Sequence, residues 1–159
     1  MFDRVVARPL PEALEELAGD RFDVVVAGDV LEHVAEPGKV LVRVRPLLRP
    51  GGALFVSLPN VANVSLRLSL LFGRFDYAPR GILDATHLRF FTRTSGRRLL
   101  VAHGFAVVSE AATAMPVELA LPFLAKQPLA SPVRATALLL ARLWPTLFGY
   151  QFVWEAVPA

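Results

Sequence analysis

Residues 22–27 (FDVVVA) are a continuous apolar run rich in valine, interrupted only by Asp23. The run lacks the regular polar alternation of a half-exposed strand, so it predicts a strand covered on both faces, as in a parallel sheet. A second such run (ALFVSL) occupies residues 53–58, and residues 38–48 between the two predict a helix. The order strand, helix, strand predicts a right-handed crossover and a mainly parallel α/β sheet.

The loops that follow these two strands are the first candidates for a functional site. Gly28-Asp29 follows the first strand, and Pro59-Asn60 follows the second. In open α/β sheets, ligands bind in the crevice at the carboxyl ends of the strands. We therefore expect functional side chains in these two loops.

The remaining elements are predicted from caps, breakers and periodicity. Thr92 is a good N-cap for a helix over residues 93–103, and Gly104 is a good terminator for it. A last strand at 148–157 is predicted to run antiparallel to a strand at 105–108. The other predicted elements are a strand at 4–7, a helix at 12–18, a turn at 50–52, a helix and loop at 61–85, and a helix at 132–144.

Composition excludes several classes of protein. The chain has 159 residues, of which 54% are hydrophobic, so we expect one folded domain and not a disordered chain. There is no cysteine, which excludes disulfides and thiolate metal sites and is compatible with the cytoplasm, where we place the protein. The net charge of +3 is scattered, so no nucleic-acid partner is expected.

Several segments, in their order and spacing, carry a resemblance to a known family. The stretch 22–34 (FDVVVAGDVLEHV) and the turn 47–52 (LLRPGG) resemble the middle of a class I S-adenosylmethionine-dependent methyltransferase. The later segments that extend the resemblance are 57–60 (SLPN), 73–77 (GRFDY), 83–92 (LDATHLRFFT) and 104–105 (GF). The resemblance implies an incomplete Rossmann-like methyltransferase sheet, mainly parallel with an antiparallel C-terminal strand and flanked by helices.

The resemblance also implies that part of the family's cofactor site is missing from this sequence. The family opens with a strand, a glycine-rich loop and a helix, whereas no Gly-x-Gly-x-Gly occurs here. Residues 5–7 and 22–27 would correspond to the family's third and fourth strands. We therefore interpret residues 1–159 as one partial domain, with a helical insertion at 111–147, and expect no low-micromolar binding of S-adenosylmethionine. A misplaced start codon is a further interpretation.

Histidine suits the proton removal that methylation of a hydroxyl requires, because its unperturbed pKa is about 6.5. His33, after the loop of the strand at 22–27, is one candidate base; the alternative is a helix residue bonded to a neighbour. His87, in the segment that would cover the acceptor pocket, is the other; the alternative is a ring that anchors a loop. His103 precedes Gly104 at a helix end and is interpreted as structural.

The resemblance implies roles for five further residues. Gly28, Asp29 and Glu32 would lie on the cofactor side, although Asp29 is also suited to cap the following helix. Asn60 and Arg89 would contact the acceptor. For Asn60 the alternative is a turn with Pro59, and for Arg89 it is an ion pair with a carboxylate such as Asp84. No metal site is expected, because the three histidines lack ligand spacing.

The sequence thus predicts S-adenosylmethionine-dependent methyl transfer to a small-molecule acceptor, at oxygen. The alternative is a non-catalytic interaction module or gene fragment, in which the edge of the strand at 22–27 pairs with a second copy or another chain. A further alternative places the Val5 strand beside that edge. We interpret the apolar segment 116–144 as a lid over a lipid-like acceptor, an interfacial membrane helix or a helical insertion packed on the sheet, with any peripheral membrane contact through residues 132–144.

Overall fold

A computed structural model describes residues 5–116 and 130–159. Its centre is a four-stranded sheet with the strand order β1-β2-β4-β3. The strands are β1 (Phe22–Gly28), β2 (Leu48–Pro59), β3 (Phe105–Thr113) and β4 (Gln151–Pro158). The helices are α1 (Pro37–Val44), α2 (Val64–Leu71), α3 (Arg93–Ala102), α4 (Ala130–Leu143) and α5 (Pro145–Phe148), with 3-10 turns at Glu12–Leu17, Leu31–His33 and Arg45–Leu47.

The strand directions confirm the predicted fold class. β1 pairs with β2 in parallel, and β4 pairs antiparallel with both β2 and β3. Three strands therefore point in one direction and only the C-terminal strand points in the other. The predicted antiparallel pairing of the last strand with the strand that begins at Phe105 is confirmed.

The core lies on one face of this sheet. Leu54, Val56 and Leu58 alternate along β2, and β4 contributes Phe152 and Trp154 beside them; all five are fully buried. The period of two places these side chains on the same face of the pleated strands. α1 and α3 cover that face with further apolar residues, which include Val40, Leu41, Val44 and Leu100.

Helix α3 begins and ends where its caps predict. The Thr92 side chain accepts from the backbone of Ser95, and the Ser95 side chain accepts from the backbone of Thr92, so the two form a capping box. Gly104 has a φ of 82°, a left-handed conformation that glycine adopts without strain. Within the helix, a Cβ at Gly96 would lie 2.6 Å from the Trp154 ring, so glycine is required for the helix to pack on the sheet.

The prediction that β1 is covered on both faces is wrong for the described residues. Val25 and Ala27 pack against the core, whereas Val24 is 52% exposed and Val26 is 70% exposed. A continuous apolar run indicates a strand but does not show whether other elements cover both of its faces.

The predicted strand at 4–7 is also not formed where the structure describes it. Residues 5–7 belong to no strand, and Val5 is 76% exposed. Arg4 lies outside the described residues. The edge of β1 is therefore not covered by the Val5 segment.

Two boundaries differ from those predicted. β2 begins at Leu48, so the Pro50-Gly51-Gly52 turn is a distortion inside the strand, where Gly51 has a φ of 80°. β3 continues to Thr113 and thus enters the segment assigned to a helical insertion at 111–147. The insertion stays a prediction, because residues 117–129 lie outside the described part of the chain.

Among the described residues, no helix has both the length and the apolar character needed to span a membrane.

Candidate functional site

The loop after β1 is held in place by the two neighbouring strands. Asp29 has a φ of 52°, and its backbone N–H donates to the Ser57 hydroxyl at 3.0 Å. Its Oδ1 accepts from the Ser57 hydroxyl at 2.9 Å and from Gln151 Nε2 at 2.8 Å. The capping alternative for Asp29 is not observed, because the following 3-10 turn, Leu31–His33, has no side-chain cap. β2 and β4 thus fix this carboxylate at the carboxyl end of β1.

Glu32 is the most unusual polar group in the described structure. Its side chain is 1% exposed, and neither carboxylate oxygen has a hydrogen-bond partner among the described residues. Burial raises the pKa of Glu32 from 4.5 to about 7, and the negative charge of Asp29 adds to the effect. Its backbone N–H and the nearby His33 act in the opposite direction. A buried carboxylate with so little hydrogen bonding is costly, so Glu32 is a candidate functional group.

His33 and His87 meet beside this carboxylate. Their ring centroids are 4.7 Å apart in an edge-to-face arrangement. Nδ1 of His33 lies 3.0 Å from the Thr86 hydroxyl oxygen and 3.2 Å from the Thr86 carbonyl oxygen, and Nδ1 of His87 lies 3.1 Å from the Ile82 carbonyl oxygen. A carbonyl oxygen only accepts, and the Thr86 hydroxyl already donates its proton to Asp84, so we assign Nδ1 as the donor in both rings. In the neutral imidazoles Nε2 then keeps a lone pair.

The segment that carries His87 is anchored around Glu32. The Thr86 hydroxyl and N–H donate to Asp84 Oδ1 at 2.6 and 2.8 Å, and these bonds lower the pKa of Asp84. The backbone N–H groups of Leu88 and Arg89 donate to the Glu32 carbonyl oxygen at 2.8 and 3.0 Å. The loop therefore closes over the 3-10 turn and places His87 against His33.

Arg89 and Asn60 make contacts that differ from those expected of acceptor-binding residues. Arg89 donates from Nε and Nη2 to the Ala35 carbonyl oxygen at 3.0 and 2.7 Å, and its predicted pairing with Asp84 is not observed. Asn60 is fully buried, and its Nδ2 donates to the carbonyl oxygen of Gly149 at 2.9 Å. Its Oδ1 accepts from the N–H of Ala62 at 3.0 Å. Both side chains are thus used to hold backbone segments together.

The polar groups surround a cavity of about 240 Å³. Its lining residues are Asp29, Glu32, His33, Pro59, Arg80, Gly81, Asp84, His87, Tyr150 and Gln151. A second cavity of about 260 Å³ shares Arg80, Gly81 and Tyr150 with it. The second cavity is the more apolar, with Leu66, Ile82, Leu83 and Met115 in its wall. Burial and the charge of Asp29 raise the pKa of Tyr150, which lies between the two cavities.

Three side chains in the first cavity form a set that can hold a metal ion. Glu32, His33 and His87 each offer one ligand atom, and these atoms lie within 4.8 Å of one another. The two histidines are far apart in the sequence, which is why spacing predicted no metal site. The loop 78–87 brings them together by closing over the 3-10 turn that follows β1.

Comparison with known proteins identifies the family of this chain. Residues 2–110 match the family model described as a methyltransferase domain. The chain belongs to this family. The methyltransferase domain is 35% identical over 91 residues to the ubiquinone biosynthesis O-methyltransferase of Aeromonas salmonicida, a match that covers 55% of this chain and 37% of that protein. It is 40% identical over 76 residues to the enzyme of the same name from Caulobacter vibrioides, covering 48% of this chain and 29% of the relative.

Solved structures confirm the fold of the methyltransferase domain. A SAM-dependent methyltransferase from Archaeoglobus fulgidus superposes with a TM-score of 0.56 at 15% identity, covering 91% of this chain and 63% of that one. The magnesium protoporphyrin IX methyltransferase of Synechocystis, solved with bound SAH, gives a TM-score of 0.51 at 17% identity and covers 89% of this chain and 47% of that one. The methyltransferase domain therefore spans well under half the length of these curated relatives and about half to two thirds of these solved ones.

The structure brings most of the predicted site residues of the methyltransferase domain together. Asp29, Glu32, His33 and His87 line one cavity. Gly28 ends β1 beneath it, and a Cβ there would meet only the Ser57 hydroxyl at 3.8 Å. Arg89 and Asn60 are not in the cavity wall. The sequence interpretation missed Ser57, Arg80, Tyr150 and Gln151.

Proposed function

We propose that this methyltransferase domain takes part in transferring a methyl group from S-adenosylmethionine to a hydroxyl oxygen of a small molecule. The observation that carries the proposal is the cluster of Glu32, His33 and His87 at the carboxyl end of β1. Methyl transfer is an in-line displacement in which the oxygen attacks the sulfonium methyl carbon, the carbon–sulfur bond breaks and S-adenosylhomocysteine leaves. The protein contributes by positioning the oxygen and assisting removal of its proton.

The cluster supplies groups able to assist that proton removal. The Glu32 carboxylate has no competing partner among the described residues, and the two Nε2 atoms present lone pairs when the rings are neutral. His33 and His87 thus keep the role expected from the sequence, whereas we move Glu32 from the cofactor side to the acceptor side. The Aeromonas and Caulobacter relatives are named O-methyltransferases, which supports oxygen as the methylated atom.

The two adjoining cavities suggest the shape of the acceptor. Together they offer about 240 and 260 Å³, which suits a small molecule better than a polymer. The hydroxyl group would lie in the polar cavity, and an apolar part would lie against Leu66 and Ile82 in the second. Arg80, which lines both, is placed to contact a polar substituent between them.

The cofactor would approach the loop after β1 from the side opposite to the polar cavity that holds the acceptor. A third hollow, of about 430 Å³, lies there and shares Asp29 and His33 with the polar cavity. Pro9, Leu10 and Val30 give it an apolar wall. Gly28 and Asp29 stay our candidates for cofactor contact, because Asp29 lines both this hollow and the polar cavity and Gly28 directly precedes it.

Transfer of a labelled methyl group tests the proposal. The purified chain is incubated with labelled S-adenosylmethionine at millimolar concentration and small phenols or alcohols that carry an apolar group. We expect label in the acceptor, and about a hundredfold slower transfer by Glu32→Gln. Glu36→Gln, which changes an exposed glutamate, is the matched control and should keep the wild-type rate. No transfer by the unchanged chain, or equal transfer by Glu32→Gln, contradicts the proposal.

The exposed edge of β1 favours a second candidate function, an interaction module. Within the described ranges, β1 pairs only with β2, and Val24 and Val26 are exposed beside its other edge. An apolar edge of this kind is a template for pairing with another strand, including that of a second copy. Light scattering should then show a dimer that Val26→Lys converts to a monomer. A monomeric wild-type chain contradicts self-association.

We also retain a cytoplasmic location and a peripheral membrane contact through residues 132–144 as proposals. Leu139, Leu143 and Trp144, at the end of α4, are exposed and support such a contact. Flotation with anionic vesicles tests it, and a Leu139→Glu, Leu143→Glu double variant should not float. Equal flotation of the variant contradicts this contact surface.

A further inference from the structure

We propose that Tyr150 determines which acceptors this site takes, by donating a hydrogen bond from its hydroxyl group to a second oxygen of the acceptor. The residue directly precedes β4 and lines both the polar cavity that contains Glu32 and the second, more apolar cavity. An acceptor that extends from one cavity into the other therefore passes the Tyr150 side chain. This role rests on the proposed function, which places the acceptor in these two cavities.

The Tyr150 hydroxyl lies at the boundary between the cavities, and contacts on several sides hold it there. The Tyr150 backbone N–H donates to the Thr113 carbonyl oxygen at 2.8 Å, and the Tyr150 carbonyl oxygen accepts from the N–H of Asn60 at 2.9 Å. A Cβ at Gly81, which also lines both cavities, would lie 3.1 Å from the Tyr150 hydroxyl oxygen. Glycine at this position therefore leaves the space beside the hydroxyl open.

This hydroxyl is a buried polar group that lacks a partner among the described residues. Tyr150 is 9% exposed, and its ring packs in a small apolar cluster with Leu66 and Ile82. No hydrogen bond joins its hydroxyl to another residue in the described part of the chain. A buried tyrosine usually finds a hydrogen-bond partner for its hydroxyl group. Because this hydroxyl borders a polar cavity, an oxygen of a bound molecule can be that partner.

The surroundings of the hydroxyl make it a donor. Burial raises the pKa of Tyr150, and the negative charge of Asp29 adds to the effect. The hydroxyl therefore keeps its proton at neutral pH and can donate it to a carbonyl, ether or hydroxyl oxygen. The polar cavity of about 240 Å³ also has to hold the hydroxyl that is methylated, so the second oxygen should lie within a few bonds of that group.

Arg80 is the other donor that lines both cavities, but it is suited less to discrimination. Its side chain is exposed, so water can replace an acceptor oxygen that is missing. A buried donor has no such replacement, and a site built around one rejects molecules that lack the matching oxygen. Tyr150 also lies outside residues 2–110, which match the methyltransferase family model. The selectivity that we infer is therefore a property of this chain and does not follow from the family match.

Equilibrium binding to the full chain tests this role without any methyl transfer. One probe is a propylphenol with a methoxy group on the carbon next to its hydroxyl. The other has an ethyl group in place of the methoxy group, so it keeps the shape but lacks the second oxygen. By calorimetry, we expect the wild-type chain to bind the methoxy probe about tenfold more tightly than the ethyl probe. Tyr150→Phe should bind the two probes equally, within about twofold, because it has no hydroxyl to leave unpaired.

The ratio of the two affinities separates a hydrogen bond from a structural role of Tyr150, because a distorted site weakens the binding of both probes together. Tyr77→Phe, which removes the hydroxyl of an exposed tyrosine outside both cavity walls, is the matched control and should keep the wild-type ratio. Gly81→Ala should lower the ratio by displacing the Tyr150 hydroxyl, and should have no further effect on the ratio in Tyr150→Phe. Circular dichroism checks that each variant is folded.

Three results would overturn the role of Tyr150. They are wild-type chain that binds neither probe at millimolar concentration, equal wild-type affinity for both, and a ratio that Tyr150→Phe leaves unchanged. A ratio that is lost in Arg80→Gln but kept in Tyr150→Phe is an instance of the third and assigns the donor to Arg80. Selective binding without methyl transfer supports the contact with Tyr150 and contradicts the proposed function. Methyl transfer to both probes with equal KM supports the proposed function and contradicts selection by Tyr150.

Discussion

The charge of Glu32 should make the stability of this chain depend on pH in a way that one substitution removes. Burial raises the pKa of Glu32 from 4.5 to about 7, so the folded chain favours the neutral carboxyl group. The protonated Glu32 carboxyl group therefore contributes to the stability of the folded chain. This contribution is fully present below about pH 4.5 and is lost as the pH rises through about 7. In Glu32→Gln the side chain is neutral throughout, so this loss should be absent.

The magnitude follows from the two pKa values. Integrating the proton linkage for a group with pKa 4.5 in the unfolded chain and about 7 in the folded one gives about 2.5 kcal/mol between pH 5 and pH 8. Solvent that enters the cavity would screen part of this free energy. We therefore expect the free energy of unfolding of Glu32→Gln, relative to wild type, to increase by about 1–2.5 kcal/mol between pH 5 and pH 8.

Urea denaturation followed by far-ultraviolet circular dichroism measures this difference. Both proteins are unfolded at pH 5 and at pH 8 with a chelator present, so that no bound cation stabilises the charged form. Comparing the variant with wild type at each pH cancels the titration of the groups that do not interact with Glu32. Glu36→Gln, an exposed change, should show no comparable difference. A Glu32→Gln difference that is the same at both pH values would refute the reasoning about Glu32.

Two further predictions test the packing that positions the sheet. Gly96→Ala places a Cβ 2.6 Å from the Trp154 ring and should destabilise the fold by about 1–3 kcal/mol, measured as a lower urea midpoint. Gly28→Ala, whose Cβ would meet only a hydroxyl at 3.8 Å, is the control and should cost less than Gly96→Ala; equal losses would contradict the packing argument. Thr92→Ala removes half of the capping box and should cost about 1 kcal/mol, measured by thermal unfolding; Thr92→Ser should restore most of it.

Local sequence patterns predicted most of the strands and helices, but not which other elements pack against them. The apolar runs of β1 and β2 and the caps of α3 depend on neighbouring residues, so they are readable from the sequence. Exposure of Val24 and Val26 depends on which other elements pack against β1, and no local pattern carries that information. For the same reason, residues 5–7 have the composition of a strand without forming one.

Four of the residues that the sequence predicts for the site line one cavity in the structure, but the sequence could not show how they are arranged. Asp29, Glu32 and His33 follow β1 directly, so their proximity is local. His87 reaches them only because the loop around it bonds to the Glu32 backbone. That the Glu32 carboxylate has no partner among the described residues is visible only in three dimensions.

The direction of β4 explains the residues that were missed and indicates how they can be found in similar sequences. In a parallel strand the carboxyl end lies at the site, whereas an antiparallel neighbour begins there. β4 begins at Gln151, which pairs with Pro59 at the end of β2, so Gln151 and the preceding Tyr150 lie at the functional edge. Gln151 donates to Asp29, and Tyr150 lines the cavity. Once the last strand is predicted to be antiparallel, its first residues should therefore be included among the candidate site residues.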